Sequence, residues 1–265
     1  MEKRLYQAVA NNDLATVKGL AQQHPELDIN CQNPQHFGRF TVLQAASAKG
    51  FWQVVSALLD RPDLAVNQQN SWDGTAMLLA CFKGRLEVVK LLLRDFRVNL
   101  NLADFSGCTP LWWACQCDHL EIIRWMLASG RRLDLAQRGR FYGREMTPLA
   151  VAQTNKREEM EDLLSRFLRD PITTRHQLRV TLGLHHTLAA ELFALVVFTC
   201  EDILAQVPSL TSTKAARFFA SVRRLPQELQ MVICNQCYDV DRQFVSLVDS
   251  GVALQTVAAN LLSQR

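Results

Sequence analysis

The sequence predicts an all-α fold: a solenoid of short helix pairs followed by a second helical domain. Three observations support this fold class. A threonine-led motif recurs, an apolar-periodic segment follows each copy of it, and the recurrence stops near a proline. The copies begin 34, 34 and 38 residues apart, at Thr41, Thr75, Thr109 and Thr147. Such a period is typical of repeat proteins, in which each unit packs only on its neighbours.

Each unit is predicted to contain two antiparallel helices. The threonine hydroxyl can cap the first helix, and a tight turn at Gly50, Gly84 or Asp118 separates it from the second. Apolar residues at helical spacing predict the second helices at residues 51–59, 86–93, 120–127 and 158–168.

The motif copies "TPLWWA" and "TPLAVA" resemble the T-P-L-H-x-A signature of the ankyrin repeat. Asn101, Asp104 and Gly107 fall at the finger-turn spacing of that family, and residues 1–30 resemble an irregular first repeat. The resemblance implies about five repeats with β-hairpin-like fingers over residues 1–170, with a C-terminal helical domain over 171–265.

The family's histidine, which joins neighbouring repeats by hydrogen bonds, is replaced by Gln44, Leu78, Trp112 and Ala150. We therefore expect stacking to depend on apolar contact more than is usual in the family. In the same register Trp112 faces the neighbouring repeat, whereas Trp113 occupies a variable position that the family presents on its concave face.

The resemblance implies a protein partner bound by that concave face and the fingers. The expected contact residues form an apolar strip with two polar neighbours: Trp72, Leu79, Phe82, Phe105 and Trp113, with Lys83 and Gln116. Aromatic residues are common anchors of protein interfaces. The alternative is that these rings pack on each other or under the C-terminal region.

Two insertions enlarge fingers, at residues 31–40 and 135–146, and both contain Gly-Arg-Phe. The second lies in a stretch rich in arginine, where Asp134 is the acid that we expect to face the cations. Arg138 and Arg140, with Phe141 and Tyr142, favour an acidic protein segment as partner over RNA. The alternative is an ordinary solvated loop.

The C-terminal domain is predicted to begin where Pro171 breaks the last repeat. Its helices are expected at residues 187–204, 214–224, 227–238 and 242–262, and the apolar stretch 188–200 is expected to cap the last repeat. The Leu-Pro-x-Glu-Leu stretch from Leu225 to Leu229 resembles the opening of an F-box. That resemblance implies an alternative function, as a substrate-recognition adaptor of a ubiquitin ligase.

Other function classes find little support in the sequence. The net charge of +3 is too small for a typical nucleic-acid binder, and the 13-residue apolar run is too short to span a bilayer. No phosphate loop or nucleophile elbow is present, and Cys234 and Cys237 lack a second pair of metal ligands. We therefore expect a non-catalytic protein without cofactor or metal. Without a signal-like N-terminus, and with cysteines expected to be reduced, we expect it in the cytoplasm or nucleus, alone or within a larger complex.

Overall fold

The computed structural model describes residues 1–24, 26–33 and 38–184. Residues Met1–Arg175 form one compact unit, and a second unit begins at His176. The elements of the described part are α1 (Glu2–Ala10), α2 (Leu14–Gln23), α3 (Val42–Lys49), α4 (Trp52–Leu59), α5 (Ala76–Phe82), α6 (Leu86–Arg94), α7 (Pro110–Gln116), α8 (Leu120–Ala128), β1 (Gly139–Phe141), β2 (Arg144–Met146), α9 (Pro148–Thr154), α10 (Glu158–Arg169) and α11 (Pro171–Thr181).

The first ten helices form five pairs, from α1 and α2 in the first repeat to α9 and α10 in the fifth. The first helices of successive repeats pack on one another from α1 to α9, and the second helices do so from α2 to α8. Apolar side chains of these helices are buried, including Leu92 of α6 and Ile123 of α8. The predicted solenoid of helix pairs is confirmed.

The recurring threonines cap the first helices as predicted. The hydroxyls of Thr41, Thr75, Thr109 and Thr147 each accept a hydrogen bond from the backbone N–H three residues later, at 3.2 to 3.3 Å. Thr41 and Gln44 complete a capping box, because the Gln44 side chain accepts from the Thr41 backbone N–H at 2.9 Å. The predicted turns are also present, since Gly50, Gly84 and Asp118 all have φ between 63° and 85°.

Asparagines tie the loops that follow successive second helices. Asn67 donates its side-chain N–H to the carbonyl of Arg97 at 2.7 Å and accepts the backbone N–H of Asn99 at 2.7 Å. Asn101 repeats the arrangement one repeat later with the carbonyl of Arg132 and the N–H of Asp134. Asn30 does the same one repeat earlier. Each asparagine therefore satisfies two backbone groups of the next repeat.

Arginines at the ends of the second helices form a parallel set of ties. Arg97 donates to the carbonyl oxygens of Leu59 and Arg61 at 2.8 and 2.9 Å. Arg131 donates to the carbonyl oxygens of Leu93, Asp95, Phe96 and Val98. Arg61 donates to the carbonyl of Ala21 at 2.7 Å. We call these arginines and the three asparagines the polar ladder, which comprises Asn30, Arg61, Asn67, Arg97, Asn101 and Arg131.

The polar ladder shows that polar side chains also join the repeats, beside the apolar contact that we expected to exceed the family's usual share. Two residues at the family's histidine position also bond to the next repeat. Gln44 donates to the carbonyl of Gly74 at 3.1 Å, and the indole N–H of Trp112 donates to the carbonyl of Met146 at 2.8 Å. Both acceptors directly precede a capping threonine, so the two bonds are equivalent. Leu78 and Ala150 have no side-chain donor, so no equivalent bond can form at those two positions.

The fifth helix pair ends just before Pro171. Helix α10 ends at Arg169, and α11 begins at the proline itself, where a missing backbone N–H costs no helical hydrogen bond. In the described part of the chain, no helix is both long and apolar enough to cross a membrane. The helices expected beyond residue 186, the cap at 188–200 and the Leu225–Leu229 stretch lie outside the described residues. The boundary at 170/171 stays a prediction.

Candidate protein-interaction surface

The fingers precede the first helices and are joined to one another through their backbones. They comprise residues 38–40 at the described end of the second finger, 69–74 in the third, 103–108 in the fourth and 137–146 in the fifth. One N–H of each later finger donates to a carbonyl of the finger before it. The bonds are Ser71 to Gly38 at 3.0 Å, Phe105 to Trp72 at 3.2 Å and Arg140 to Ser106 at 2.8 Å.

The fifth finger is a regular β-hairpin. Strands β1 and β2 are antiparallel and pair Gly139 with Met146, Arg140 with Glu145 and Phe141 with Arg144. The connecting residues, Tyr142 and Gly143, have φ of 48° and 75°. A two-residue turn with both φ values positive has the twist that a hairpin requires. The insertion thus extends the finger as an ordered ribbon.

A glycine lets the hairpin lie directly against the fourth repeat. A Cβ atom on Gly139 would lie 2.5 Å from Cys108 Sγ and 3.0 Å from its Cα, with the Trp112 ring at 3.1 Å. Position 139 therefore has room only for a residue without a side chain. Burial beneath the hairpin and the nearby Asp104 carboxylate raise the pKa of the Cys108 thiol to about 12.

Five aromatic rings meet where the hairpin crosses the first helices. We call them the aromatic cluster: Phe82, Trp112, Trp113, Phe141 and Tyr142. The Trp113 ring is central, with centroids 4.9 Å from Phe82, 5.2 Å from Trp112 and 5.6 Å from Phe141, all edge to face. Phe141 also contacts Trp112 at 5.7 Å and Tyr142 at 4.4 Å. Such geometry adds stability beyond the area buried.

The two adjacent tryptophans differ in burial. Trp112 is fully buried, whereas Trp113 is partly exposed. The indole N–H of Trp113 donates to Asp104 Oδ2 at 2.8 Å, and the other carboxylate oxygen of Asp104 accepts the backbone N–H groups of Ser106 and Cys108. Asp104 therefore fixes the Trp113 ring and the fourth finger together. Trp113 is therefore a partly exposed ring held in one orientation.

The polar residues expected beside the aromatic strip lie on the first helices. Lys83 is exposed, and its ammonium lies 4.7 Å from the centroid of the Phe82 ring. The Gln116 side-chain oxygen accepts from the Asn155 amide at 3.3 Å, which joins the fourth and fifth repeats. Lys83 is thus free to meet an anion, while Gln116 is partly used within the chain.

Two of the exposed rings lie at finger tips. Tyr142 is 90% exposed and Phe105 is 72% exposed. Trp72 is partly buried against Phe40, with centroids 5.6 Å apart. The structure therefore joins Phe82, Trp113, Phe141 and Tyr142 in one cluster, and places Trp72 and Phe105 in the neighbouring third and fourth fingers.

The arginine-rich stretch divides into two groups. Arg124 pairs with Glu121 and Glu159 on the second helices, and Arg131 belongs to the polar ladder. On the hairpin, Arg140 pairs with Glu145 at 2.7 Å. The expectation that Asp134 would face the arginines is wrong, because its side chain accepts the backbone N–H groups of Ala136 and Gln137. Among the described residues, no acid pairs with the exposed Arg132, Arg138 or Arg144.

A family model described as ankyrin repeats, in three copies, matches residues 5–104 and residues 64–137. Together the two matches cover half of the chain. The chain belongs to the ankyrin-repeat family. Ankyrin repeats imply protein–protein interaction, because stacked repeats present an extended surface to a partner.

Similar ankyrin-repeat sequences occur within proteins of different names. Human Ankyrin repeat domain-containing protein 63 is 37% identical over 78 residues, which are 29% of this chain and 20% of that protein. Arabidopsis thaliana E3 ubiquitin-protein ligase XBAT33 is 35% identical over 127 residues, 48% of this chain and 24% of that protein. Human BCL-6 corepressor-like protein 1 is 31% identical over 134 residues, which are 49% of this chain and 7% of that protein. The chain thus spans a quarter or less of the length of these relatives.

The ankyrin register does not make every variable position a surface. Leu79, expected in the exposed strip, is only 7% exposed, so it is removed from the candidate contacts. It lies on α5, which packs against both α3 and α7, and neighbouring first helices cover it. Val151 of α9 is likewise buried. Apolar side chains on these short helices fill the space between repeats before they reach the surface.

The ankyrin domain also contains features that the sequence interpretation missed. Glu145 is the partner of Arg140, and Asp104 is the acceptor of Trp113. The recurrence of arginine at positions 61, 97 and 131, 36 and 34 residues apart, was a signal for the polar ladder.

In the described residues, no three His, Cys, Asp or Glu side chains are grouped closely enough to hold a metal ion. Burial raises the pKa of the Cys81 and Cys115 thiols.

Proposed function

We propose that this ankyrin-repeat protein is a non-catalytic adaptor that binds a protein partner through the aromatic cluster and the fifth finger. The observation that carries the proposal is the partly exposed Trp113 ring, held in place by Asp104 and by rings from three elements. A ring already fixed in one orientation loses little entropy on binding. It is therefore well suited to anchor a partner.

The surface around Trp113 has the chemistry of an interface. Exposed Tyr142 and partly exposed Trp113 supply apolar area beside polar groups. Trp, Tyr and Arg are the residue types that most often dominate binding energy. The partner would cover the cluster, and its polar groups would meet the surrounding cations.

Charge around the cluster favours acidic groups in the partner. Lys83 lies over Phe82 on one side, and Arg138 and Arg144 are exposed on the hairpin. These cations have no acidic partner among the described residues. Exposed cations attract a negatively charged partner and guide it during encounter.

Affinity capture of the full chain from its native cells tests the proposal. The wild type would be compared with Trp113→Ala and Tyr142→Ala, each quantified by mass spectrometry. Phe96→Ala is the matched control, because Phe96 is also an exposed aromatic ring, 64% exposed, but follows α6 among the second-helix ends. We expect a set of proteins that both cluster variants lose about tenfold and the control retains. Equal recovery with all four proteins would contradict the proposal.

A ubiquitin-ligase adaptor is a second candidate function. It is supported by the Leu225–Leu229 stretch and by relatives named E3 ubiquitin-protein ligases, such as XBAT33 from Arabidopsis thaliana. In this function the repeats would hold the substrate and the C-terminal region would contact the ligase. A pull-down of the full chain with the linker subunit of the ligase tests it. Retention that is lost with Leu225→Arg and kept with Trp113→Ala is expected, and no retention of the wild type would reject it.

A further inference from the structure

The backbone bonds between fingers run in one direction and end at the fifth finger. Each finger from the third to the fifth donates an N–H to the finger before it, the last being Arg140 to Ser106 at 2.8 Å. The fifth finger has β1 on the side of that bond and β2 on the far side. Among the described residues, strand β2 is therefore the open edge of the row of fingers.

The hairpin register shows which backbone groups lie along that edge. Phe141 and Arg144 flank the two-residue turn, and such a flanking pair is hydrogen bonded across the hairpin. Because bonded and non-bonded pairs alternate, the next pair, Arg140 and Glu145, directs its N–H and C=O groups outward. The bond from Arg140 to Ser106 agrees with this register. The outward groups on β2 belong to Glu145.

Glu145 is available for a further strand. In the described part of the chain its backbone N–H and C=O have no hydrogen-bond partner besides solvent, and the residue is exposed. Unpaired groups on an exposed edge are a ready template for another strand. Extended peptides that add to a sheet edge gain affinity through such backbone bonds.

The charge of this finger selects among extended segments. The fifth finger, residues 137–146, contains three arginines and one acid, a net charge of +2. The acid, Glu145, is paired with Arg140, so Arg138 and Arg144 have no acidic partner among the described residues. Arg144 of β2 lies across from Phe141, on the face of the hairpin that contacts the aromatic cluster. An acidic strand fits this edge.

We propose that the β2 edge binds an extended acidic segment of the partner as an added β-strand, with backbone bonds at Glu145 and partner carboxylates near Arg144. This inference rests on the proposed function and adds the conformation and charge of the bound segment. The aromatic cluster then contacts the side chains on one face of the added strand.

The experiment uses the full chain and a fluorescent eight-residue peptide of alternating glutamate and valine. Binding is measured by fluorescence anisotropy at low salt. Glu145→Pro removes the outward N–H without breaking a hairpin bond, because Glu145 belongs to the non-bonded pair, and an edge position tolerates proline. Glu145→Gln is the matched control, since it also removes the ion pair with Arg140 but keeps the backbone N–H. We expect Glu145→Pro to weaken binding about tenfold relative to Glu145→Gln.

Two peptide controls keep the test informative if Glu145→Pro does not fold. The same peptide with every backbone amide methylated retains its charge but cannot donate, and we expect it not to bind the wild type. A peptide with lysine in place of glutamate is also expected not to bind. Equal binding of the methylated peptide, or no binding of the unmodified peptide, would overturn the inference.

Other occupants of the edge give different results. If β2 pairs with a second copy of the chain, light scattering shows a dimer that Glu145→Pro dissociates, which overturns the inference. If cellular proteins are lost with Trp113→Ala but retained with Glu145→Pro, strand addition fails while the proposed function stands. If neither variant loses a protein but the acidic peptide binds only through Glu145, the proposed function fails and the edge site stands.

Discussion

The second-helix ends and the finger side of this domain join the same repeats by different means. At the second-helix ends the polar ladder connects arginine and asparagine side chains to backbone carbonyls and N–H groups of adjacent repeats. On the finger side, aromatic rings and single backbone bonds connect the third, fourth and fifth repeats. The polar-ladder side chains bond within the chain, whereas the finger side exposes Tyr142, Phe105, unpaired arginines and the β2 edge.

The difference fits the proposed division between a supporting side and a binding side. A side chain that donates hydrogen bonds to several acceptors within the chain is not available to bind a partner, as Arg131 shows. Exposed rings and cations retain that capacity. Arg138 and Arg144 are the same residue type as Arg131 and lie within 13 residues of it, yet they are exposed. Residue type alone therefore does not assign an arginine to either role.

The largest effect on stability is expected at Trp112, the fully buried member of the aromatic cluster. Trp112→Ala leaves a cavity between the fourth and fifth repeats and removes the bond to the Met146 carbonyl. We expect a loss of about 3 to 5 kcal/mol in the free energy of unfolding. Urea denaturation followed by circular dichroism measures it. A loss under 1 kcal/mol would show that the finger side contributes little support.

The next largest effect is expected in the polar ladder. Arg131→Ala leaves carbonyl oxygens of the α6 end without their donor, and burial already lowers the pKa of this guanidinium, which shows that it is partly desolvated. We expect a loss of about 2 kcal/mol, measured in the same way. Arg132→Ala is the matched control, because Arg132 is exposed, and its expected effect is under about 0.5 kcal/mol. Equal effects of both variants would contradict the role assigned to the ladder.

Trp113→Ala is expected to change stability less and binding more. It removes a partly exposed ring and its bond to Asp104, so we expect a loss of about 1 to 2 kcal/mol in the free energy of unfolding. Partner capture should fall about tenfold in the same preparation. Thermal unfolding and capture, measured side by side, check the prediction. A destabilisation as large as that of Trp112→Ala would mean that Trp113 serves the fold rather than recognition.

The smallest effect is a pH dependence in the loop after α4. A hydrogen bond from Arg61 lowers the pKa of Asp63 in the folded chain. A lowered pKa gives stability that is present above the unfolded value of about 4 and is lost as the pH falls through the folded value. Because the Asp63 side chain is 49% exposed, we expect under about 0.5 kcal/mol. Asp63→Asn should therefore be less stable than the wild type at pH 7 and nearly equal to it at pH 2. A constant difference would exclude this ion pair as its source.

Much of the fold could be predicted from the sequence because local rules fix it. A threonine cap needs only its own first turn, and a tight turn needs only a residue that accepts positive φ. Thr75, Gly84 and Asp118 satisfy these rules without regard to distant residues. The repeat period then places the helix pairs beside one another.

The surface was harder to predict because exposure depends on neighbours that one repeat does not reveal. Leu79 follows the same register as Trp113, but adjacent first helices cover it. The number of unpaired cations on the fifth finger depends on the ion pair between Arg140 and Glu145. Only the hairpin register places these two residues opposite each other. Periodicity identifies positions, whereas packing decides which of them reach solvent.

The absent side chain at Gly139 sets the distance between the fifth finger and the repeat beneath it. A single methyl group there would meet Cys108 at 2.5 Å, so Gly139→Ala would lift the ribbon away while every recognition residue stayed unchanged. The placement of the finger and its chemistry can thus be varied independently. Affinity for a partner can be tuned at a residue that the partner never touches.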